Sequence, residues 1–268
     1  MTLRPLVSLR SPADFADWFR AGVEYTIRVA RALDVDPAPL PTHRDEGVAA
    51  MRANQTDVSP ALARTIGAVL SGDAAFGRPF LRWTPRWYRF LLAGPIALAD
   101  RRLSRVAAPY ADRGGVDRPS FSTPDAVADG APLHDAGADG APSLDLSGLG
   151  FADRFLLADA VLHVEWFRDV AAVCDLSVPA ALLDRTHRES VAVYAGQRGS
   201  LSPAARRVQF ALFGDDAWVR DVNATYRLNS TLLSVWEGIL RRERRRLGAA
   251  VRDDDLQASP RDDDAGRQ

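Results

Sequence analysis

The sequence predicts an all-α fold, and two recurring features support this prediction. Ser-Pro or Thr-Pro pairs occur at Ser11, Ser59, Thr84 and Ser202. A Ser or Thr side chain can cap the exposed N–H groups at a helix start, and Pro fits the first helical position because no N–H is needed there. After Ser11, apolar residues recur mainly at steps of three and four, which is the spacing of one helix face. Strand-like alternation between hairpin turns is absent from the sequence.

Two stretches of the chain resemble each other, and this similarity predicts an internal duplication. Residues 34–49, D-V-D-P-A-P-L-P-T-H-R-D-E-G-V-A, parallel residues 175–192, D-L-S-V-P-A-A-L-L-D-R-T-H-R-E-S-V-A. Residues 58–64, V-S-P-A-L-A-R, parallel residues 201–207, L-S-P-A-A-R-R. Self-similarity at a nearly constant spacing is typical of repeated structural units. We therefore expect two related units of about four helices each, the number that the amphipathic segments between turn signals allow.

The composition along the chain divides it into four segments. The helical repeat units are predicted at 1–110 and 150–248. Residues 111–149 between them are rich in Gly, Ala, Pro, Asp and Ser, and residues 249–268 carry two R-D-D-D runs. Such acidic, weakly apolar segments are predicted to be a disordered linker and a disordered tail. We expect the two units to form a pseudo-symmetric pair whose apolar faces cover each other.

Charge and cysteine content restrict the function classes. The 34 basic residues are all arginines, and with 35 acidic residues the net charge is −1. The single cysteine, Cys174, excludes an internal disulfide and a cysteine-based zinc cage. The longest apolar run, residues 90–99, is about half of what spans a bilayer. We expect a soluble, cytoplasmic protein without a transmembrane segment, and no phosphate-binding loop or nucleophile motif is present in the sequence.

Histidine is the first residue type to consider for chemistry, since the chain has four. His43 and His187 occupy equivalent positions in the motifs T-H-R-D and T-H-R-E. The repeated histidine and acid suggest a metal site or a proton-transfer site. We favour a capping box formed by the Thr and the acid, in which the histidine has no chemical role. His163 lies among apolar residues of a predicted helix. Its imidazole could bind iron or haem, or be a core histidine; we favour the core histidine because zinc and di-iron helix spacings are missing. His134 lies in the linker, and no role is predicted for it.

Two arginine-rich segments allow a functional and a structural interpretation. In residues 76–90, aromatic residues alternate with arginines. This pattern could form a surface on which nucleic-acid bases stack or an anchor in a membrane interface. We favour aromatic side chains in the core, flanked by arginines that reach solvent. Residues 241–246, R-R-E-R-R-R, are predicted to lie at the end of the last helix, where positive charge suits the helix dipole. These arginines could also bind an anionic partner, but nucleic acid is not expected to be that partner.

The two repeats resemble the C-terminal half of the bacterial rubber-oxygenase-like (MpaB-type) oxygenase family. The resemblance covers 15–105 and 160–247. In each repeat a helix leads to D-V or D-L, which is followed by T-H-R and then by S-P-A-x-x-R. A further apolar segment follows, which in the second repeat reads Y-R-L-N-S-T-L-L-S-V-W-E-G-I-L-R-R. The family is all-α, and characterised members use haem b to activate oxygen against apolar substrates. The resemblance implies that His163 is an iron ligand and that Trp87 and Trp166 line a pocket. The family's N-terminal half has no counterpart here.

Two functional hypotheses follow. The first is a haem-dependent, oxygenase-like enzyme that acts on an apolar small molecule, with His163 as the cofactor-binding residue. The alternative is a non-catalytic helical scaffold or binding protein whose arginine-rich faces bind a protein or another anionic partner. The sequence does not decide whether the protein is an enzyme, and it predicts neither a catalytic residue nor a metal site.

Overall fold

A computed structural model describes residues 9–83, 86–117, 149–197, 199–213 and 230–258. This part of the chain contains α-helices and no strand, so the all-α prediction is confirmed. The helices are α1 Pro12–Ala32, α2 Leu40–Arg52, α3 Pro60–Trp83, α4 Arg86–Gly114, α5 Phe151–Val173, α6 Ala180–Tyr194, α7 Pro203–Leu212 and α8 Ser230–Ala258.

The predicted Ser-Pro helix starts are confirmed at three positions. Ser11 forms a full capping box, in which its side chain accepts from the backbone N–H of Asp14 and the Asp14 carboxylate accepts from the backbone N–H of Ser11 at 2.9 Å. The hydroxyls of Ser59 and Ser202 each accept from the N–H three residues further on, at 3.2 and 3.4 Å. The remaining pair, at Thr84, lies outside the described residues.

The capping boxes predicted at the two T-H-R motifs are wrong. Helices α2 and α6 begin at Leu40 and Ala180, each directly after a proline, so Thr42 and Thr186 lie inside the helices. The hydroxyl of Thr186 donates to the carbonyl oxygen of Leu182, 2.8 Å away, rather than capping a helix end. The preceding prolines determine the helix starts, because proline cannot continue a hydrogen-bonded turn from upstream.

The two halves pack on each other around one apolar core. Helix α1 of the first half contacts α7 of the second, and α5 of the second half contacts α3 of the first. Fully buried side chains come from both halves, for example Phe19 and Ile66 from one and Leu157 and Phe167 from the other. The expected mutual covering of the halves is therefore present in the structure.

Local geometry also recurs between the halves. Asp34 and Asp175, which follow α1 and α5, have φ angles of 56° and 57°. In each case the next N–H bonds back to a helix carbonyl oxygen at 2.9 Å, from Val35 to Ala30 and from Leu176 to Ala171. Asp tolerates this left-handed conformation better than most residues. The duplication itself stays a prediction, which these paired helix ends support.

The unit boundaries predicted at 110 and 248 are too early. Helix α4 continues to Gly114, and α8 continues to Ala258, so the first ten residues of the predicted disordered tail are helical. An ion pair between Arg206 of α7 and Asp254 of α8, at 3.2 Å, holds this extension on the bundle. Most of the predicted linker, 118–148, and the rest of the tail lie outside the described residues. Within the described helices, none is long and apolar enough to cross a membrane.

Candidate functional sites

His163 lies in the middle of α5 and is 5% exposed. Its Nδ1 is 2.7 Å from the backbone carbonyl oxygen of Asp159 and 3.2 Å from the carboxylate Oδ1 of the same residue. Both neighbours are acceptors, so Nδ1 carries a proton and donates it. Burial lowers the pKa of His163, but the charge and hydrogen bonds of Asp159 outweigh burial, and the net pKa is raised.

The imidazole of His163 belongs to a buried centre where α1, α3 and α5 meet. Its ring centroid lies 5.7 Å from that of Tyr25 and 5.0 Å from that of Phe76. The ring of Trp166 meets Tyr25 edge-on at 5.3 Å. Asp73 completes the set. Hereafter "the buried centre" means Tyr25, Asp73, Asp159, His163 and Trp166.

The carboxyl group of Asp73 is the acid of the buried centre with a strongly raised pKa. Its Oδ2 accepts a 2.7 Å hydrogen bond from the indole Nε1 of Trp18. Burial nevertheless raises the pKa of Asp73 to about 7, against the lowering effects of this hydrogen bond and of His163. Burial also raises the pKa of Tyr25 well above 10, so its hydroxyl stays protonated. The buried centre can therefore exchange a proton on Asp73 near neutral pH.

The prediction that His163 ligates a haem stays a prediction, and the close packing of the described helices near it counts against a haem. A haem needs a flat gap beside the ligating nitrogen, but the helices approach closely at the buried centre. A Cβ on Gly72 would lie 2.8 Å from Nε1 of Trp166, and one on Gly22 would lie 2.5 Å from Cγ1 of Val69. In the part of the chain that the structure describes, no cluster of three His, Cys, Asp or Glu side chains could hold a metal ion. The prediction that Trp87 lines a pocket falls outside the described side chains.

His43 and His187 occupy different environments. Nδ1 of His43 lies 2.8 Å from the hydroxyl of Thr65, which in turn lies 3.8 Å from the sulfur of Cys174. Burial raises the pKa of Cys174 to about 11, so the thiol stays protonated and is a poor nucleophile. His187 is half-buried on α6. The metal interpretation of the T-H-R motifs gains no support from these positions.

The arginine run lies inside α8, and the prediction that it ends a helix is wrong. The helix continues twelve residues beyond Arg246, so the run cannot serve its C-terminal dipole. Arg246 pairs with Glu243, whose Oε1 also accepts a 2.8 Å hydrogen bond from the hydroxyl of Tyr194. The guanidinium of Arg244 lies 5.5 Å from the ring centroid of Phe210. The hydrogen bond between Tyr194 and Glu243 thus links α8 to α6, and the contact between Arg244 and Phe210 links α8 to α7.

Three other arginines of α8 project into solvent. Arg242, Arg245 and Arg252 are exposed, as are Gly238 and Ala249 on the same helix face. Within the described ranges, none of the three arginines makes an ion pair. We call these three residues the α8 arginine face.

Sequence reasoning missed the acids of the buried centre. Asp159 lies four residues before His163, a spacing that places both on one helix face, so this pair was accessible from the sequence. Asp73 stands in S-G-D-A-A-F at 71–76, which parallels F-G-D-D-A-W at 213–218 and would have extended the repeat. The approach of Trp18 to Asp73, 55 residues apart, has no sequence signal.

Fold and sites together define an all-α helical bundle with a buried ionisable centre and an exposed cationic helix face. The chain belongs to the family described as a domain of unknown function (DUF8116), whose model matches residues 1–252. Comparisons with curated proteins and with solved structures gave no match.

Proposed function

We propose that this chain is a non-catalytic helical binding protein whose α8 arginine face docks an acidic segment of a partner protein. The observation that carries this proposal is the set of exposed arginines without ion pairs on one face of α8, at Arg242, Arg245 and Arg252. Their positions follow steps of three and seven, so all three share one side of the helix.

The arrangement of these arginines carries a stability cost that their surroundings do not offset. Arg242 and Arg245 are three residues apart, and like charges at such a spacing destabilise a helix by about 0.2–0.5 kcal/mol. The helix dipole does not compensate, because the helix ends only at Ala258. A bound carboxylate-rich segment would remove the repulsion and form charge-assisted hydrogen bonds.

The net charge of the chain favours an acidic peptide over nucleic acid as the partner, because a charge of −1 lacks the strongly basic footprint of nucleic-acid binders. From Arg242 to Arg252 the face is about 15 Å long, which a short extended segment of about five residues would cover.

The test is fluorescence anisotropy with a fluorescein-labelled oligo-aspartate peptide and the full chain. The double variant Arg242→Gln/Arg245→Gln should bind about fivefold more weakly, the loss expected when exposed ion pairs worth about 1 kcal/mol are removed. The control is Arg185→Gln/Arg188→Gln on α6, two exposed arginines with the same spacing. Equal weakening by both double variants would show general charge attraction and contradict a site on α8.

The haem-dependent oxygenase is the second candidate, and one observation favours it. A histidine that ligates a metal usually donates its other ring N–H to a carbonyl or carboxylate, as Nδ1 of His163 does to Asp159. A bound haem would supply oxygen activation. The close packing at Gly72 and Trp166 counts against it. An absorption spectrum after incubation with haem tests this candidate.

A further inference from the structure

We infer a second, independent binding site in the cleft between the start of α1, the end of α2 and the C-terminal half of α4, and propose that it binds a medium-chain carboxylate. The cleft has a volume of about 290 Å³. Apolar side chains from all three helices line it, among them Phe15, Met51, Val106 and Pro109. Phe15 and Met51 are also part of the core, so the apolar lining is continuous with the protein interior.

The cleft is held in shape by hydrogen bonds between distant parts of the chain. Nη1 of Arg102 on α4 donates to the carbonyl oxygen of Leu9, 3.0 Å away, and so fixes the segment that leads into α1. The hydroxyl of Tyr110 donates to the carbonyl oxygen of Gln55 at 2.8 Å and fixes the loop after α2. Binding would therefore require little ordering of the protein, which favours affinity.

Arg105 supplies the charge that selects the ligand. It is exposed and lines the cleft, and within the described residues it makes no ion pair. The start of α1 is less available to an anion, because the Asp14 carboxylate already accepts from the backbone N–H and the hydroxyl of Ser11. Arg10 also lines the cleft, so guanidinium groups stand at the wall of a largely apolar cleft. Such a cleft suits a molecule with an apolar chain and a single anionic group.

The volume of the cleft limits the length of that chain. Its volume of about 290 Å³ is at the small end of the roughly 300–1,000 Å³ that ligand sites span, so a medium chain such as that of octanoate suits it. A long-chain fatty acid would leave much of its chain in water, so selectivity for medium chains is expected.

Isothermal titration calorimetry of the full chain with octanoate, 1-octanol and acetate tests the site. Octanoate should bind saturably with one molecule per chain, 1-octanol about tenfold more weakly, and acetate without measurable heat. Arg105→Gln should weaken octanoate binding about tenfold, while Arg101→Gln, an exposed arginine one turn away that does not line the cleft, should leave it unchanged.

Three results would overturn the inference. They are absence of saturable octanoate binding, equal affinity for octanoate and 1-octanol, and equal effects of Arg105→Gln and Arg101→Gln. The cleft and the α8 arginine face share no residue, so these results do not depend on whether oligo-aspartate binds to α8.

Discussion

Replacing Asp73 by asparagine tests the proton-holding property of the buried centre. Burial raises the pKa of Asp73 from 3.8 to about 7, so between these values the folded protein holds a proton that the unfolded chain releases. The free energy of unfolding must therefore fall as pH rises through this window. An asparagine side chain cannot titrate, and its amide oxygen can still accept the hydrogen bond from Trp18.

The size of the effect follows from the difference between the two pKa values. From 3.8 to about 7, at 1.36 kcal/mol per pKa unit, the wild-type protein loses about 4 kcal/mol of stability through Asp73. The raised pKa of His163 also lowers the free energy of unfolding as pH rises. Its stabilising contribution is fully present below pH 6.5 and is lost as pH rises through the pKa of the folded state. Asp73→Asn should remove the first of these losses and leave most of the second, because Asp159 contributes more than Asp73 to the raised pKa of His163.

The assay is urea denaturation followed by tryptophan fluorescence at pH 5, 6, 7 and 8. The difference in unfolding free energy between Asp73→Asn and wild type should increase from pH 5 to 7, so that the variant gains on the wild type as pH rises. Asp112→Asn, which changes an exposed carboxylate on α4, is the control and should follow the wild type at every pH. A pH-independent difference between Asp73→Asn and wild type would refute the assignment of the proton to Asp73.

Three further variants test the packing around these sites. Gly72→Ala should destabilise the protein by about 1–3 kcal/mol in urea denaturation, because its Cβ would meet the Trp166 indole; a neutral effect would mean that α3 and α5 separate easily there. His163→Ala should cost about 2 kcal/mol or more in the same assay and leave the absorption spectrum after haem incubation unchanged, whereas loss of a Soret band would favour the oxygenase. Tyr194→Phe should cost about 1.5–3 kcal/mol through its lost bond to Glu243, measured by thermal unfolding; an unchanged melting temperature would contradict this.

The fold class and most helix starts could be predicted from local sequence. Ser11, Ser59 and Ser202 act on backbone groups within a few residues, so their effect can be derived without knowledge of tertiary contacts. The apolar spacing of α1 and α5 likewise indicated which faces are buried, and His163 was correctly expected among apolar neighbours.

Local patterns misled where distant contacts or competing local signals were stronger. The T-H-R motifs resemble helix caps, but the prolines before Leu40 and Ala180 start the helices earlier. Residues 249–258 have the composition of a tail, yet they are helical and are held on α7 by the pair of Arg206 and Asp254.

Tertiary contacts decide how the residues of the buried centre and the cleft come together. The buried centre exists because α1, α3 and α5 meet, which brings Trp18 to Asp73 and Tyr25 to His163 across large sequence separations. The cleft at Arg105 likewise needs three helices from different parts of the chain. Helices are encoded by interactions over a few residues, whereas burial, pKa and cavity shape depend on which helix faces meet, and a single sequence does not specify those contacts.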